Sequence, residues 1–108
     1  MFRLFTTEEF DQDYTKLDNS EKLRVNKILK QLKEKGDNIG KYLAGLSFFR
    51  EKKFDGKRLY FLVYKSINTI FVIAISDKKA QQSTINQILQ ELSEYQHYIF
   101  ELIKRNNV

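Results

Sequence analysis

Basic side chains are concentrated in one stretch of the chain, FFREKKFDGKRLYFLVY, at positions 48–64. Positions 50–65 hold six cations and two anions, so their net charge of +4 is most of the chain's net charge of +5. Clustered arginines and lysines can bind a polyanion and can stabilise negative charge that develops during a reaction. The other interpretation is a solvated sheet edge, since lysines on an edge strand discourage aggregation. The six cations are Arg50, Lys52, Lys53, Lys57, Arg58 and Lys65.

Length and composition bound the class of protein. The 108 residues are 42% hydrophobic and 31% charged, which is typical of a single globular domain spanning 1–108. The absence of cysteine excludes disulfides, a thiolate nucleophile and Cys-based metal sites. The most apolar run, IFVIAI, is too short to span a membrane, and the first ten residues lack a signal peptide's apolar stretch. We therefore expect a soluble, cytoplasmic protein with no membrane partner.

Hydrophobic spacing and capping residues predict the order β-α-α-β-β-β-α. Thr6 with Glu9 resembles a capping box for the first helix, and Asp18 with Glu21 resembles one for the second. Positions 37–45 are expected to form a loop. The pattern predicts an α+β domain, with a helix pair on one face of an antiparallel sheet and the C-terminal helix on the other. The predicted strands cover 2–5, 47–54, 57–65 and 69–76, and the predicted helices cover 7–17, 18–36 and 82–104.

The turn at Asp55-Gly56 decides which cations share a face of the sheet. Asp-Gly favours the positive φ angles of a tight hairpin turn. A two-residue turn places Lys52 opposite Leu59, and Arg58 then lies on the face opposite Lys52. A three-residue turn or a bulge at Gly56 returns Lys52 and Arg58 to one face. The residues alone leave both registers open.

The order of motifs resembles the RelE/ParE superfamily of toxins from type II toxin–antitoxin systems, and its RelE-like and HigB-like branches most. A Leu-x-Gly turn (LAGL) precedes a basic strand (FREKKF), then a strand led by arginine (GKRLYFLVY), an apolar strand, and a Lys-Lys pair before the last helix (SDKKAQQ). The resemblance covers most of the chain.

This resemblance implies an endoribonuclease that cleaves mRNA, on or off the ribosome, and so inhibits translation. It implies no metal and no cofactor, and it implies a cognate antitoxin protein as partner. In the implied reaction a ribose 2′-hydroxyl attacks the adjacent phosphate, and cations stabilise the charge that develops on the phosphorane. The implied catalytic residues are Arg50, Lys52, Arg58 and Lys79. The implied RNA-binding residues are Lys53, Lys57 and Lys78.

One departure and several alternatives accompany the resemblance. Many RelE-type toxins have a catalytic tyrosine at the start of the last helix, where this chain has QQSTINQ. The alternative functions are therefore a ParE-like inhibitor of DNA gyrase and a non-toxic basic RNA-binding module. Glu51 is interpreted as an ion-pair partner in preference to a general base, and His97 as a solvated surface residue.

Overall fold

The computed structural model of the chain describes residues 1–106. No helix within this range is long and apolar enough to cross a membrane. Short 3₁₀ turns lie at Gly36–Asn38 and Lys65–Ile67. The strands are β1 (Arg3–Thr6), β2 (Lys41–Leu43), β3 (Leu46–Phe54), β4 (Lys57–Tyr64) and β5 (Thr69–Asp77). The helices are α1 (Glu8–Thr15), α2 (Asn19–Lys35), α3 (Gln81–Gln90) and α4 (Leu92–Asn106).

The strands form one five-stranded sheet in the order β1-β5-β4-β3-β2. Strands β2 to β5 pair antiparallel, whereas β1 pairs with β5 in parallel. The α+β fold is confirmed, but the prediction of a purely antiparallel sheet is wrong. No hairpin joins β1 to its neighbour, so no turn in the sequence reveals the relative direction of the two strands.

Two hydrophobic clusters cover the two faces of the sheet. The first packs α1 and α2 against one face and includes Val25, Leu32 and Phe61. The second packs α3 and α4 against the other face and includes Tyr60 and Ile99. The predicted placement of the helix pair and of the C-terminal helical segment on opposite faces is therefore confirmed.

The helix ends follow local capping chemistry, with one shift from the prediction. Asp18 and Glu21 form the predicted capping box at the start of α2. The first cap is one residue later than predicted, because the side chain of Thr7, not that of Thr6, accepts a hydrogen bond from the Phe10 N–H at 3.0 Å. The Thr6 hydroxyl instead donates to Asp11.

Two regions differ from the predicted elements. The C-terminal helix is two helices that are separated at Glu91, although no Gly or Pro marks the break. A straight helix over 82–104 would be about 35 Å long, and the break lets Ile88 and Ile99 reach the same cluster. The predicted loop over 37–45 contains the edge strand β2, which was missed because its three residues are flanked by Gly40 and Gly45.

Two leucines of α2 provide a test of this packing. Leu32 is 0% exposed and belongs to the first cluster, whereas Leu23 of the same helix is 70% exposed. We expect Leu32→Ala to lower the free energy of unfolding by roughly 2–5 kcal/mol, because it leaves a cavity in the core. We expect Leu23→Ala to change it by less than about 0.5 kcal/mol. Urea denaturation measures both values, and equal losses would show that the assigned face of α2 is wrong.

Candidate nucleic-acid interface

A two-residue turn joins β3 to β4 and fixes the register of the basic hairpin. Asp55 and Gly56 have φ angles of 46° and 75°, the positive values expected of a type I′ turn. Phe54 pairs with Lys57, and Lys53 pairs with Arg58. Arg58 therefore lies on the face opposite Lys52, since successive side chains on a strand point to opposite faces.

Arg58 and Lys53 belong to a polar row on the face that α3 and α4 cover. Arg58 pairs with Lys53 on one side and with Ser76 on the other. Glu51 and Tyr60 form a neighbouring pair two residues along the strands, on the same face. We call the set Glu51, Lys53, Arg58, Tyr60 and Ser76 the polar face of the hairpin. Gln81, the first residue of α3, contacts this set through a hydrogen bond to Glu51.

Arg58 is the buried cation of this polar face. Its side chain is 7% exposed, and its Nη1 donates one long hydrogen bond of 3.3 Å to the Gly56 carbonyl. Its Nε is buried without a hydrogen-bond partner within residues 1–106. Leaving such a donor unpaired costs about 1–3 kcal/mol. An anion that accepted a hydrogen bond from this group would recover that cost.

Glu51, Tyr60 and Ser76 carry the remaining polar atoms of the face. The Glu51 carboxylate is buried and accepts a hydrogen bond from Gln81 Nε2 at 3.1 Å, so the partner found is a neutral amide and not the predicted cation. The Tyr60 and Ser76 hydroxyls are 2.7 Å apart. Burial raises the pKa of Tyr60 above its usual value.

Lys78 and Lys79 lie in the exposed turn that follows β5. Asp77 shapes this turn, because its carboxylate accepts a hydrogen bond from the Ala80 N–H at 2.9 Å. Ser76 pairs with Arg58, so the turn begins two residues after the row that contains Arg58. The structure thus places both lysines at the same end of the sheet as Arg58 and Lys53.

Arg50, by contrast, is fixed on the other face of the sheet. It is 1% exposed, and its Nη1 donates to the carbonyls of Gly36, Asp37 and Ile39 at 2.9, 2.8 and 3.2 Å. Its Nε donates to the Ser47 carbonyl at 2.7 Å. These bonds tie the end of α2 to β3, which is a structural role. The geometry does not bring Arg50 together with Arg58, and we leave it out of the candidate site.

Lys52 and Lys57 also lie on the face opposite Arg58. Lys57 Nζ is 2.7 Å from Glu21 Oε2, so this lysine joins β4 to α2. Lys52 is partly buried and lines a groove of about 380 Å³ at the open edge of β3. The groove exists because β2 pairs with β3 only as far as Lys41, opposite Glu51. Its lining residues are Gly40, Lys41, Glu51, Lys52 and Lys53.

Sequence reasoning missed several residues of this region. Lys41 lay inside the predicted loop, and Gln81 precedes the predicted start of the last helix. Gln81 is the first residue of α3, and it contacts Glu51. The hydroxyls of Tyr60 and Ser76 could have been placed on the polar face only once the turn register was known.

A second cavity, of about 290 Å³, has no basic residue in its lining. It is lined by Thr7 of the α1 cap, Phe71 of β5 and Tyr95 and Tyr98 of α4, among others. The Thr7 hydroxyl donates to the Ile73 carbonyl, and the Tyr95 hydroxyl donates to Glu91. The Thr7 and Tyr95 hydroxyls are therefore already bonded within the protein.

Solved structures of RelE-type toxins share this fold. A chain of the intact E. coli RelBE toxin–antitoxin complex matches with a TM-score of 0.64 at 22% identity, over 71% of this chain and 96% of that one. The isolated E. coli RelE toxin matches with a TM-score of 0.64 at 19% identity, over 82% of this chain and 99% of that one. A chain of the YoeB dimer from Staphylococcus aureus matches with a TM-score of 0.55 at 18% identity, over 68% of this chain and 92% of that one. The chain therefore has the fold of the RelE toxins, as the sequence resemblance implied.

Sequence comparison adds nothing to this structural likeness. No protein-family model matches the chain, and no curated protein matches it significantly.

The ion pair between Lys57 and Glu21 can be tested by titration. The hydrogen bond from Lys57 is the largest cause that lowers the pKa of Glu21 below its ordinary 4.5. We expect Lys57→Gln to raise this pKa, as followed by NMR of the Glu21 carboxyl carbon. A carboxyl group whose pKa is lowered by folding stabilises the fold at pH values above its unfolded-state pKa. This stabilisation is lost as the pH falls through the folded-state pKa.

The stability difference between the parent protein and Lys57→Gln should therefore be present at neutral pH and shrink as pH falls below 4.5. An unchanged Glu21 pKa in the variant would mean that the pair does not form in solution. Lys57 would then be available to bind RNA, as the sequence resemblance implied.

Proposed function

We propose that this protein is the toxin of a type II toxin–antitoxin system and that it cleaves mRNA in a reaction that needs no metal. The RelE fold supports the class of protein. The observation that carries the enzymatic part is the buried guanidinium of Arg58, whose Nε is unpartnered. This cation shares the polar face with Lys53, and the Lys78-Lys79 turn follows at the same end of the sheet. Such an arrangement suits a phosphodiester better than a neutral ligand.

In the proposed reaction the ribose 2′-hydroxyl attacks the neighbouring phosphorus atom, and the bond from phosphorus to the 5′-oxygen breaks. The 2′-hydroxyl gives up its proton, and the departing 5′-oxygen gains one. The products are a 2′,3′-cyclic phosphate and a free 5′-hydroxyl. Arg58 and Lys53 hold the phosphate and stabilise the charge on its equatorial oxygens.

Glu51 is the group best placed to accept the proton of the 2′-hydroxyl. It is the carboxylate of the polar face, two residues from Lys53 on β3, and its hydrogen-bond partner Gln81 is neutral. A carboxylate within reach of a hydroxyl can act as general base. We assign protonation of the leaving oxygen to Lys79, in the exposed turn, with Lys78 binding RNA beside it. Lys52 contributes RNA binding in the edge groove.

A cognate antitoxin protein is the proposed partner, and the cytoplasm is the proposed location. Structures with this fold include RelB–RelE antitoxin–toxin complexes from E. coli and Methanococcus jannaschii. Co-expression of the reading frame next to this one should restore growth if that frame encodes the antitoxin. The ribosome is a further proposed partner, because the sequence resembles toxins that cleave translated mRNA.

Arg58 provides the test of the proposed function. We expect induced expression of the parent protein to arrest growth, with new mRNA 5′ ends that appear within codons. Arg58→Ala should abolish both effects, because it removes the phosphate-binding cation. Arg58→Lys should also be impaired, since lysine keeps the charge but lacks the planar fork that binds phosphate oxygens in pairs.

The matched control is Arg105→Ala. Arg105 is exposed on α4, whose Phe100 contacts Tyr64 at the end of β4 opposite Arg58. This variant removes the same charge and should remain toxic. If Arg58→Ala is as toxic as the parent protein, the proposed site is wrong. Growth arrest with intact mRNA and with loss of DNA supercoiling would instead establish the ParE-like function.

A further inference from the structure

Tyr42 is an exposed aromatic residue at the edge of the sheet, beside the basic strand β3. It lies on β2, opposite Arg50 on β3, and 54% of its surface is accessible. Exposed tyrosines beside cations recur where proteins bind single-stranded nucleic acid, because every base presents a face that can stack.

The ring of Tyr42 rests on a fixed cation. The Arg50 guanidinium lies 4.9 Å from the ring centroid. Four backbone carbonyls hold that guanidinium in place, so the ring has a rigid support. A cation on one face draws electron density through the ring, and the opposite face then becomes a better partner for an electron-rich base.

The groove at the edge of β3 connects Tyr42 to the polar face. Lys41, the residue before Tyr42, lines this groove together with Lys52 and Lys53. Gly40 has a φ of 92°, and a Cβ there would lie 2.9 Å from both the Glu51 carbonyl oxygen and the Phe61 ring. Glycine therefore lets the chain pass close to the Glu51 carbonyl as it leaves the sheet, and the pairing of β2 with β3 ends at Lys41.

The spacing suits a short segment of single-stranded RNA. Tyr42 lies two strands away from Arg58 and three residues along, which places their Cα atoms about 14 Å apart, and their side chains point to opposite faces of the sheet. RNA that reaches both must therefore pass over the edge of β3, along the groove. The lysines of the groove lie between the two positions, where they can neutralise the intervening phosphates.

We propose that Tyr42 is a stacking platform for one nucleobase of the RNA whose phosphate lies at Arg58. The proposal rests on the proposed function and adds a subsite to it. The alternative is that Tyr42 only covers the guanidinium of Arg50. Leucine at this position would still cover Arg50 but could not stack on a base, so the two roles can be separated.

The test measures binding of a short 2′-O-methyl oligoadenylate, which lacks the attacking hydroxyl and cannot be cleaved. Fluorescence anisotropy gives its Kd for the parent protein and for the variants. We expect Tyr42→Phe to bind like the parent protein and Tyr42→Leu to bind about tenfold more weakly. The control Tyr98→Leu, which alters a tyrosine of similar exposure on α4, should bind like the parent protein.

Oligonucleotides with one base removed make the test independent of how the variants fold. For the parent protein, the loss of one particular base should weaken binding about tenfold. Tyr42→Leu should show no further loss at that position. The subsite would be overturned if binding to the parent protein were unchanged whichever base was removed. It would also be overturned if Tyr42→Leu bound the intact oligonucleotide normally.

Arg58→Ala distinguishes a wrong stacking subsite from a wrong proposed function. If Arg58→Ala weakens binding and Tyr42→Leu does not, only the stacking subsite is wrong. If neither variant weakens binding, the assignment of RNA to the basic hairpin is wrong as well.

Discussion

The arrangement of the cations depends on the two-residue turn at Asp55-Gly56. Because side chains on a strand alternate between faces, a shift of one residue in the register would move every side chain of β4 to the other face. In the observed register Arg58 shares with Lys53 the face that α3 and α4 cover, and Lys57 shares the other face with Arg50 and Lys52. A single turn thus sets Arg58 apart from Lys57, which pairs with Glu21 on the other face.

Two buried arginines show how differently the two faces use a cation. Removing a guanidinium from water is unfavourable unless its donors find acceptors. Arg50 meets this requirement with backbone carbonyls from the end of α2 and from the start of β3. Arg58 has one long hydrogen bond and a buried Nε without a partner within residues 1–106. The difference separates an arginine that holds the fold together from one that is suited to bind a ligand.

Local chemistry in the sequence predicted most of the elements. The capping box of Asp18 and Glu21, the apolar spacing of α2 and the Asp-Gly turn each depend on neighbouring residues, and all three are observed. The parallel pairing of β1 and the strand β2 depend on contacts distant in sequence, so no local pattern revealed them. The break at Glu91 carries no helix-breaking residue and follows from packing on the sheet.

The candidate site was harder to predict than the fold, because it depends on the register of one turn. Composition identified the basic hairpin but could not assign Lys52 and Arg58 to faces. The family resemblance grouped Arg50 with Arg58, and the structure separates them. Burial of Arg50 was not foreseen, because its acceptors are backbone carbonyls. Every residue has a backbone carbonyl, so the sequence does not show which ones accept.

The central claim is that Arg58 is the phosphate-binding group, and NMR of the arginine Nε–H resonances tests it most directly. The account predicts that the Arg58 signal moves to the position of a hydrogen-bonded group when a 2′-O-methyl oligonucleotide is added. The Arg50 signal should not move, because that donor is already bonded to the Ser47 carbonyl. An Arg58 signal that stays in place while the oligonucleotide binds would contradict the account.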